Sequence, residues 1–270
     1  MTIFMANAEK IGYRTDTQTK YIQIAQNDLM QILSNFKNHK MGNLQQSHLG
    51  FAIDPQTATN RLDSRYFDPR ITALIERLRR FPHLQLGRVI TYCIEGKAPR
   101  KYVDDGVPVI TIENIVKRYA FYFVDLTDVK HITIRAHEQA RASKIRTVDL
   151  LLAITGATIG KVAVAPKGLK EANICGDILK IEVDAGTLNP YYIAAFLSSA
   201  HGQIQIFRHI YGSTNMHLDT EGIKSILIPL HPNQDQIGRQ LAKIEEAYEE
   251  ASVYVRKLST EMANFLSRLA

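Results

Sequence analysis

The sequence predicts an α+β fold, one mixed strand-rich domain with a long C-terminal coiled-coil helix, and three observations predict it. Between Leu86 and Leu230 the apolar residues come in short runs broken by Gly, Asp and Pro, the pattern of strands and turns. After Pro232 they recur at alternating spacings of four and three, the pattern of a helix with one narrow apolar seam. Of the 270 residues, 45% are hydrophobic and 22% charged, which is enough for a packed core and excludes a disordered or collagen-like chain.

The elements follow in chain order. Ile3–Ile11 and Asn27–Phe36 read as helices, the second capped by Asn27 or Asp28, and His39–Asn60 reads as a polar linker. Asp68-Pro69 opens a further helix, with Asp as N-cap and Pro at the first helical position. Ile71, Leu74, Ile75 and Leu78 form its apolar face, Arg70, Arg77, Arg79 and Arg80 its basic one, and Pro82 stops it. It is the expected local partner for the base of the C-terminal helix. Val107–Ile112, Ala120–Val124, Ile178–Val183 and Ile223–Pro229 are predicted strands. Asp149–Thr155 and Gly160–Ala165 are two more, separated by a Gly-containing turn, and Pro190–Ser199 is a helix. The expected organisation is therefore a helical tail and linker over 1–60, a strand-rich domain over 61–230, and a helix over 231–270.

That last helix carries the most regular pattern. Ile237, Leu241, Ile244, Tyr248, Ala251, Val255, Leu258, Met262, Phe265 and Leu269 form an unbroken heptad seam flanked by charged residues. A helix from Asn233 to Ala270 would be roughly 57 Å long, more than one compact domain needs. So narrow a stripe is expected to meet another helix, the alternative being a core helix packed on its own domain; with no second seam of that length in this chain the expected partner is external.

Lys plus Arg number 33 and Asp plus Glu 27, a formal net charge of +6. Residues 61–230 hold 23 basic and 17 acidic side chains, so the excess, and any anionic partner, belongs to the middle segment. Apolar runs such as Leu150–Ile154 fall far short of the ~18 residues of a membrane span, and the first residues lack a signal-peptide pattern. The expected location is cytoplasmic. Cys93 and Cys175 are too few for a disulfide framework or a Cys-based zinc site, and the nine histidines lack metal-ligand spacing.

Two catalytic look-alikes fail on geometry. Gly156–Lys161 has three residues between its glycines and Val162 after the Lys, where a phosphate-binding loop needs four and a Ser or Thr. Asn189-Pro190-Tyr191-Tyr192 resembles the motif with which amino-methyltransferases hold an exocyclic amine, but it lacks the second Pro and an upstream Gly-rich cofactor loop. A turn and a helix start are the preferred readings. No catalytic site, metal or cofactor is expected.

Five stretches in order carry a family resemblance. They are Arg61–Pro69 (RLDSRYFDP), Gly106–Ile115 (GVPVITIENI), Leu151–Lys161 (LLAITGATIGK), Asn189–Ser199 (NPYYIAAFLSS), and Tyr211–Leu218 (YGSTNMHL) leading into Ile226–Leu230 and Gln234–Ile237. Together with the seam, they resemble the specificity subunit of type I restriction–modification systems, in the form of a single target recognition domain. Ile3–Tyr13 and Asn27–Phe36 resemble the C-terminal tail of an N6-adenine DNA methyltransferase of the same systems, whose catalytic motifs would lie upstream of it.

The resemblance implies a non-catalytic subunit that reads double-stranded DNA and directs a methyltransferase, and a restriction/translocase subunit, to a bipartite site. A usual specificity subunit has two recognition domains in one chain; this sequence resembles half of one. It implies a homodimer through antiparallel helices, with Ile237, Leu241, Ile244, Tyr248, Val255, Leu258 and Met262 as the seam. The implied DNA contacts fall on three loops. The first holds Lys97, Arg100 and Lys101, and the second Asn114, Lys117 and Arg118. The third holds Arg208, His209, Tyr211, Ser213, Asn215 and His217. The alternative is a trimmed methyltransferase or nuclease with residual chemistry at Asn189–Tyr192.

Overall fold

The structure, a computed structural model, describes residues 2–9, 11–15, 22–58, 61–169, 171–212 and 215–266, with backbone alone for 11–15, 22–27 and 264–266. The chain divides into two compact units, Met1–Arg80 and Phe81–Ala270.

The first unit holds β1 (Ile3–Met5), β2 (Ile11–Thr15), β3 (Ile22–Asn27), α1 (Leu29–Lys40), β4 (Phe51–Ile53) and α2 (Pro69–Leu78). Strand β1 pairs antiparallel with β4, and β2 with β3. These pairings correct two expectations. Ile3–Ile11 is not a helix, and His39–Asn60 is not merely a linker, because it contains β4, whose Phe51 is buried. Helix α1 begins after Asp28, as expected, and Asp28 accepts the Glu9 amide at 2.8 Å. Helix α2 is as expected: the Asp68 side chain accepts the Arg70 amide, Pro69 follows, and Ile71, Leu74, Ile75 and Leu78 are all buried. Asp68 is itself buried and ion-paired to Arg70 at 2.8 Å.

The second unit begins with β5 (His83–Gln85), β6 (Ile90–Glu95), β7 (Val107–Ile110), β8 (Ile115–Arg118), β9 (Phe121–Val124), β10 (Lys130–Ile132) and α3 (Ile134–Gln139). There follow β11 (Leu150–Ala153), β12 (Val162–Val164), β13 (Asn173–Ile174), β14 (Ile178–Val183), α4 (Pro190–Ser198) and α5 (Ala200–Arg208). It closes with β15 (Ile210–Tyr211), β16 (His217–Leu218), β17 (Leu227–Pro229) and α6 (Gln234–Leu266).

Its centre is an antiparallel sheet in the order β12-β11-β14-β6. Side chains alternate between the faces of a strand, and here both faces are covered. Leu150, Leu152, Val162, Val164, Leu179 and Ile181 enter one core with α4, Ile206 of α5 and Ala242 of α6. Leu151, Ala163, Ala165 and Ile178 enter a second core with Val109 and Ile110 of β7, Ile115 of β8 and Ile132 of β10. Burial on both faces accounts for the uninterrupted apolar run Leu150–Ile154. Each fully buried Leu there contributes about 1.5–3 kcal/mol.

Helix α6 is rooted in this unit through α4. Asn189 caps α4, its side chain accepting the Tyr191 amide, and its own amide donates to Gln234 Oε1 at 2.8 Å. A Cβ at Gly238 would lie 2.2 Å from Asn189 Oδ1, so the two helices approach this closely only because position 238 is glycine. Ile237 and Leu241 pack on the first core, and Tyr248 stacks on Phe123 with ring centroids 5.2 Å apart. The expected seam is thus divided: its first part serves the chain's own core, while Ile244, Val255, Leu258 and Met262 are exposed. Phe265 lacks a described side chain and Leu269 lies outside the described residues.

Between α4 and α6 the Tyr191 hydroxyl donates to Glu245 Oε2 at 2.6 Å. Glu245 is 5% exposed, and burial pushes its carboxyl up to about 7, with Glu249 and Glu246 adding to the rise against Tyr191 and Lys167. Folded Glu245 therefore holds its proton between about pH 4.5 and 7, where the unfolded chain releases it, so stability falls as pH rises through that window. The loss is roughly 3 kcal/mol at most. Glu245→Gln is expected to raise the melting temperature by several degrees at pH 8 and to change it little at pH 5, measured by calorimetry.

Candidate nucleic-acid interface

The three expected loops end up differently placed. Lys97, Arg100 and Lys101 are exposed on the segment after β6, and none forms an ion pair among the described residues. Gly96 starts this loop because a Cβ there would lie 2.0 Å from the Cys175 carbonyl oxygen. Its amide donates to Ile178 O at 2.9 Å, which fixes the loop to β14.

The third loop is a short hairpin, β15 paired with β16, joining Ile210 to Leu218 and Tyr211 to His217. Tyr211 and His217 are exposed, with ring centroids 6.0 Å apart, and Asn215 is exposed between them. Arg208 is half-buried at the end of α5, and Ser213 lies outside the described residues.

The first and third loops meet the same turn. Ala98 lies against Gly176, the next residue Asp177 accepts from Thr155 Oγ1 at 2.7 Å, and Thr155 bridges to His217. Cys175–Asp177 is therefore the turn to which both Ala98 of the first loop and, through Thr155, His217 of the third are tied.

Two expected contacts are corrected. Asn114 is only 4% exposed, and its side chain is fully engaged. Oδ1 accepts from Thr111 N and Oγ1, both at 2.9 Å, while Nδ2 donates to the Asp125 and Asp128 carbonyls, both at 3.0 Å. It closes the β8–β9 hairpin and has no group left for a base edge. His209 is likewise buried at 4%, with Nε2 3.1 Å from Ser225 Oγ. Arg118 turns to the long helix, 5.9 Å over the Tyr248 ring, while Lys117 lies 5.8 Å over Tyr122 of the paired strand β9.

A further basic segment escapes the three-loop reading. Lys130–Arg146 carries Lys130, Arg135, Arg141, Lys144 and Arg146 against Glu138 alone, and the Arg141 and Arg146 side chains are 80% and 76% exposed. Counting charge over this stretch would have found it. Helix α3, inside it, lines a cavity of about 410 Å³ together with Lys97, Arg100 and Lys101.

The catalytic look-alikes have structural roles. Gly156–Thr158 is a 3-10 turn between β11 and β12, and Lys161 Nζ donates to Ile115 O at 3.3 Å. Asn189 is a helix cap whose Oδ1 accepts the Tyr191 amide, and Tyr191 and Tyr192 are buried with both hydroxyls bonded. Among the described residues no group of three His, Cys, Asp or Glu side chains is placed to hold a metal, and no helix is long and apolar enough to cross a membrane.

Asn114→Ala is expected to lower unfolding free energy by about 3 kcal/mol, because it strands four polar groups. Asn215→Ala, at an exposed position, is expected to change it by less than about 0.5 kcal/mol in the same urea titration.

No protein-family model matches the chain, and no curated protein sequence matches it. Solved structures similar to it include the S subunit of a type I restriction–modification system from M. genitalium, at 16% identity and a TM-score of 0.48, over 70% of this chain and 46% of that one. The HsdS subunit from Thermoanaerobacter tengcongensis is 15% identical, with a TM-score of 0.36, over 90% of this chain and 71% of that one. The type IIG restriction endonuclease BpuSI is 9% identical, with a TM-score of 0.47, over 79% of this chain and 33% of that one. The chain thus spans about half the length of the M. genitalium subunit.

Proposed function

We propose that the chain is a non-catalytic DNA-specificity subunit with one target recognition domain, which dimerises through α6 and directs an N6-adenine methyltransferase to a bipartite site. The observation that carries this reading is the end of the second unit built on Cys175–Asp177. Tied to it are the loop of Lys97, Arg100 and Lys101, which make no ion pairs among the described residues, and, through Thr155, the strand of the exposed His217, which pairs with exposed Tyr211. Cations without carboxylate partners suit phosphates, and an amide, an imidazole and a phenol on a protruding hairpin suit base edges. Arg118, beside Tyr248 of α6, and Lys117, on the same β8–β9 hairpin, extend the phosphate-binding surface.

The dimer rests on the distal half of α6, where Ala251, Val255, Leu258 and Met262 continue the heptad seam without a covering element among the described residues. An isologous pairing of two such helices would place one recognition domain at each end, and the site read would be an interrupted palindrome. The first 40 residues, by their resemblance to a methyltransferase tail, are the proposed docking segment for the catalytic partner. A cytoplasmic location and the restriction/translocase subunit as a further partner belong to the same proposal.

Selection from a randomised duplex pool, with and without a candidate methyltransferase, tests the reading. Enrichment of an interrupted palindrome is the expected outcome; a bound pool with no enriched sequence would refute specificity. Replacing Lys97, Arg100 and Lys101 by Ala is expected to flatten the dependence of log K on log salt by about 0.9 for each phosphate left un-neutralised. A chain ending at Glu250 is expected to sediment as a monomer at concentrations where the full chain is a dimer. An unchanged dimer would remove α6 as the interface.

A further inference from the structure

We propose that the cavity between the Lys97–Lys101 loop and α3 is a nucleotide pocket, taking a flat heterocycle into its apolar interior and the attached phosphate onto its cationic rim. The volume, about 410 Å³, suits a ligand of that size. Its rim holds Lys97, Arg100 and Lys101, and no carboxylate lines it. Its interior is apolar, from Val109, Ile132 and Ile174, and Ala98 and Ala136 also line it. Small residues along an apolar lining leave room for a planar ring.

Asn173 supplies the second, independent observation. It lines the cavity and is 2% exposed, and its Oδ1 has no hydrogen-bond partner. The amide cannot be turned round, because Nδ2 donates to the Ala140 carbonyl at 3.2 Å, where an oxygen would be repelled. The acceptor lies behind the cavity wall, and a displacement of that wall by a bound ligand would let a ligand N–H complete it. The exocyclic amino group or ring N–H of a nucleobase is such a donor, and its phosphate is the anion that three unpaired cations ask for.

The other large cavity differs in the features that matter. It measures about 420 Å³, and Glu171 and Glu182 line it. Its buried Lys180 is paired to Glu182 at 2.7 Å, and Arg146 to the same carboxylate at 3.4 Å. Its remaining cations, Arg141 and Lys144, are paired to Glu138 at 3.2 and 2.8 Å, so each cation there already has a carboxylate.

The nucleotide can be free or an unstacked unit of a nucleic-acid strand; the chemistry is shared. The pocket uses the cations of the proposed DNA face, but its argument does not require that face to read sequence. The test is fluorescence anisotropy of the full chain with ATP carrying a methylanthraniloyl group, and in a second arm with a labelled duplex containing one unpaired nucleotide against its matched counterpart. Ala98→Phe, on an exposed loop, fills the slot, and the Arg100→Ala/Lys101→Ala pair, on exposed side chains, weakens the rim. Melting curves check that each variant is folded.

Binding of the labelled ATP, reduced at least tenfold by Ala98→Phe and at least fivefold by the rim pair, supports a free nucleotide. A fivefold preference for the unpaired duplex that Ala98→Phe abolishes supports a strand source. If Ala98→Phe proves unfolded, the rim pair decides. The proposal is overturned if neither probe binds preferentially, if both variants bind like the parent, or if inorganic tripolyphosphate displaces the label as well as unlabelled ATP does. A chain that binds matched duplex but fails both arms refutes the pocket and leaves the DNA reading standing.

Discussion

The structure of the second unit depends on burying β11 on both faces. Leu150 and Leu152 point into one core and Leu151 into the other, so the sheet cannot slip by a residue without exchanging the contents of both. That constraint fixes β12 and β14 on either side and sets where their connecting turns emerge. The Cys175–Asp177 turn leads directly into β14, and Gly96 follows the strand on its far edge. The exposed cations and the Tyr211–His217 hairpin are therefore held by the most deeply buried part of the molecule. Surface groups with long side chains acquire a defined arrangement from backbone they do not touch.

Local signals are legible wherever one segment carries the whole signal. Asp68-Pro69 and Asn189-Pro190 each combine a side-chain acceptor with a fixed φ, and both cap helices. Ile178–Val183 is a strand with the bounds its apolar run suggests. The failures lie where the signal is shared between distant segments. Strand β1 is three residues long and exists because β4, far along the chain, pairs with it. Neither looks like a strand alone, so reading Ile3–Ile11 as helix and 39–60 as linker is one error with two halves.

The candidate interface is legible to a similar degree. Cation type and loop context locate Lys97, Arg100 and Lys101, because a charged side chain between turn residues has few other destinations. The same reasoning misassigns Asn114 and His209, since amide and imidazole groups satisfy buried backbone as readily as they recognise ligands. Sequence shows that a residue is polar; only the fold shows whether its hydrogen-bonding capacity is already used. Asn173 illustrates the converse, a residue with nothing around it in sequence to draw attention, left with a buried acceptor by the pairing of β13 with β7.

The rooting of α6 has a geometric consequence. Its first turns are clamped by Gln234, Gly238 and Glu245 against α4, and Arg256 donates to the Leu126 carbonyl at 3.1 Å, so the exposed part cannot rotate freely about its axis. An α-helix turns by about 100° per residue. Inserting one residue beyond Arg256 swings every later side chain by that angle, whereas inserting seven returns it to within about 20°. The arm therefore behaves as an indexed shaft: its length can change in evolution only in steps of whole heptads if Leu258 and Met262 are to face the same way. Spacing along the axis and orientation around it are coupled, and a family built on such an arm would vary its reach in increments of roughly 10 Å.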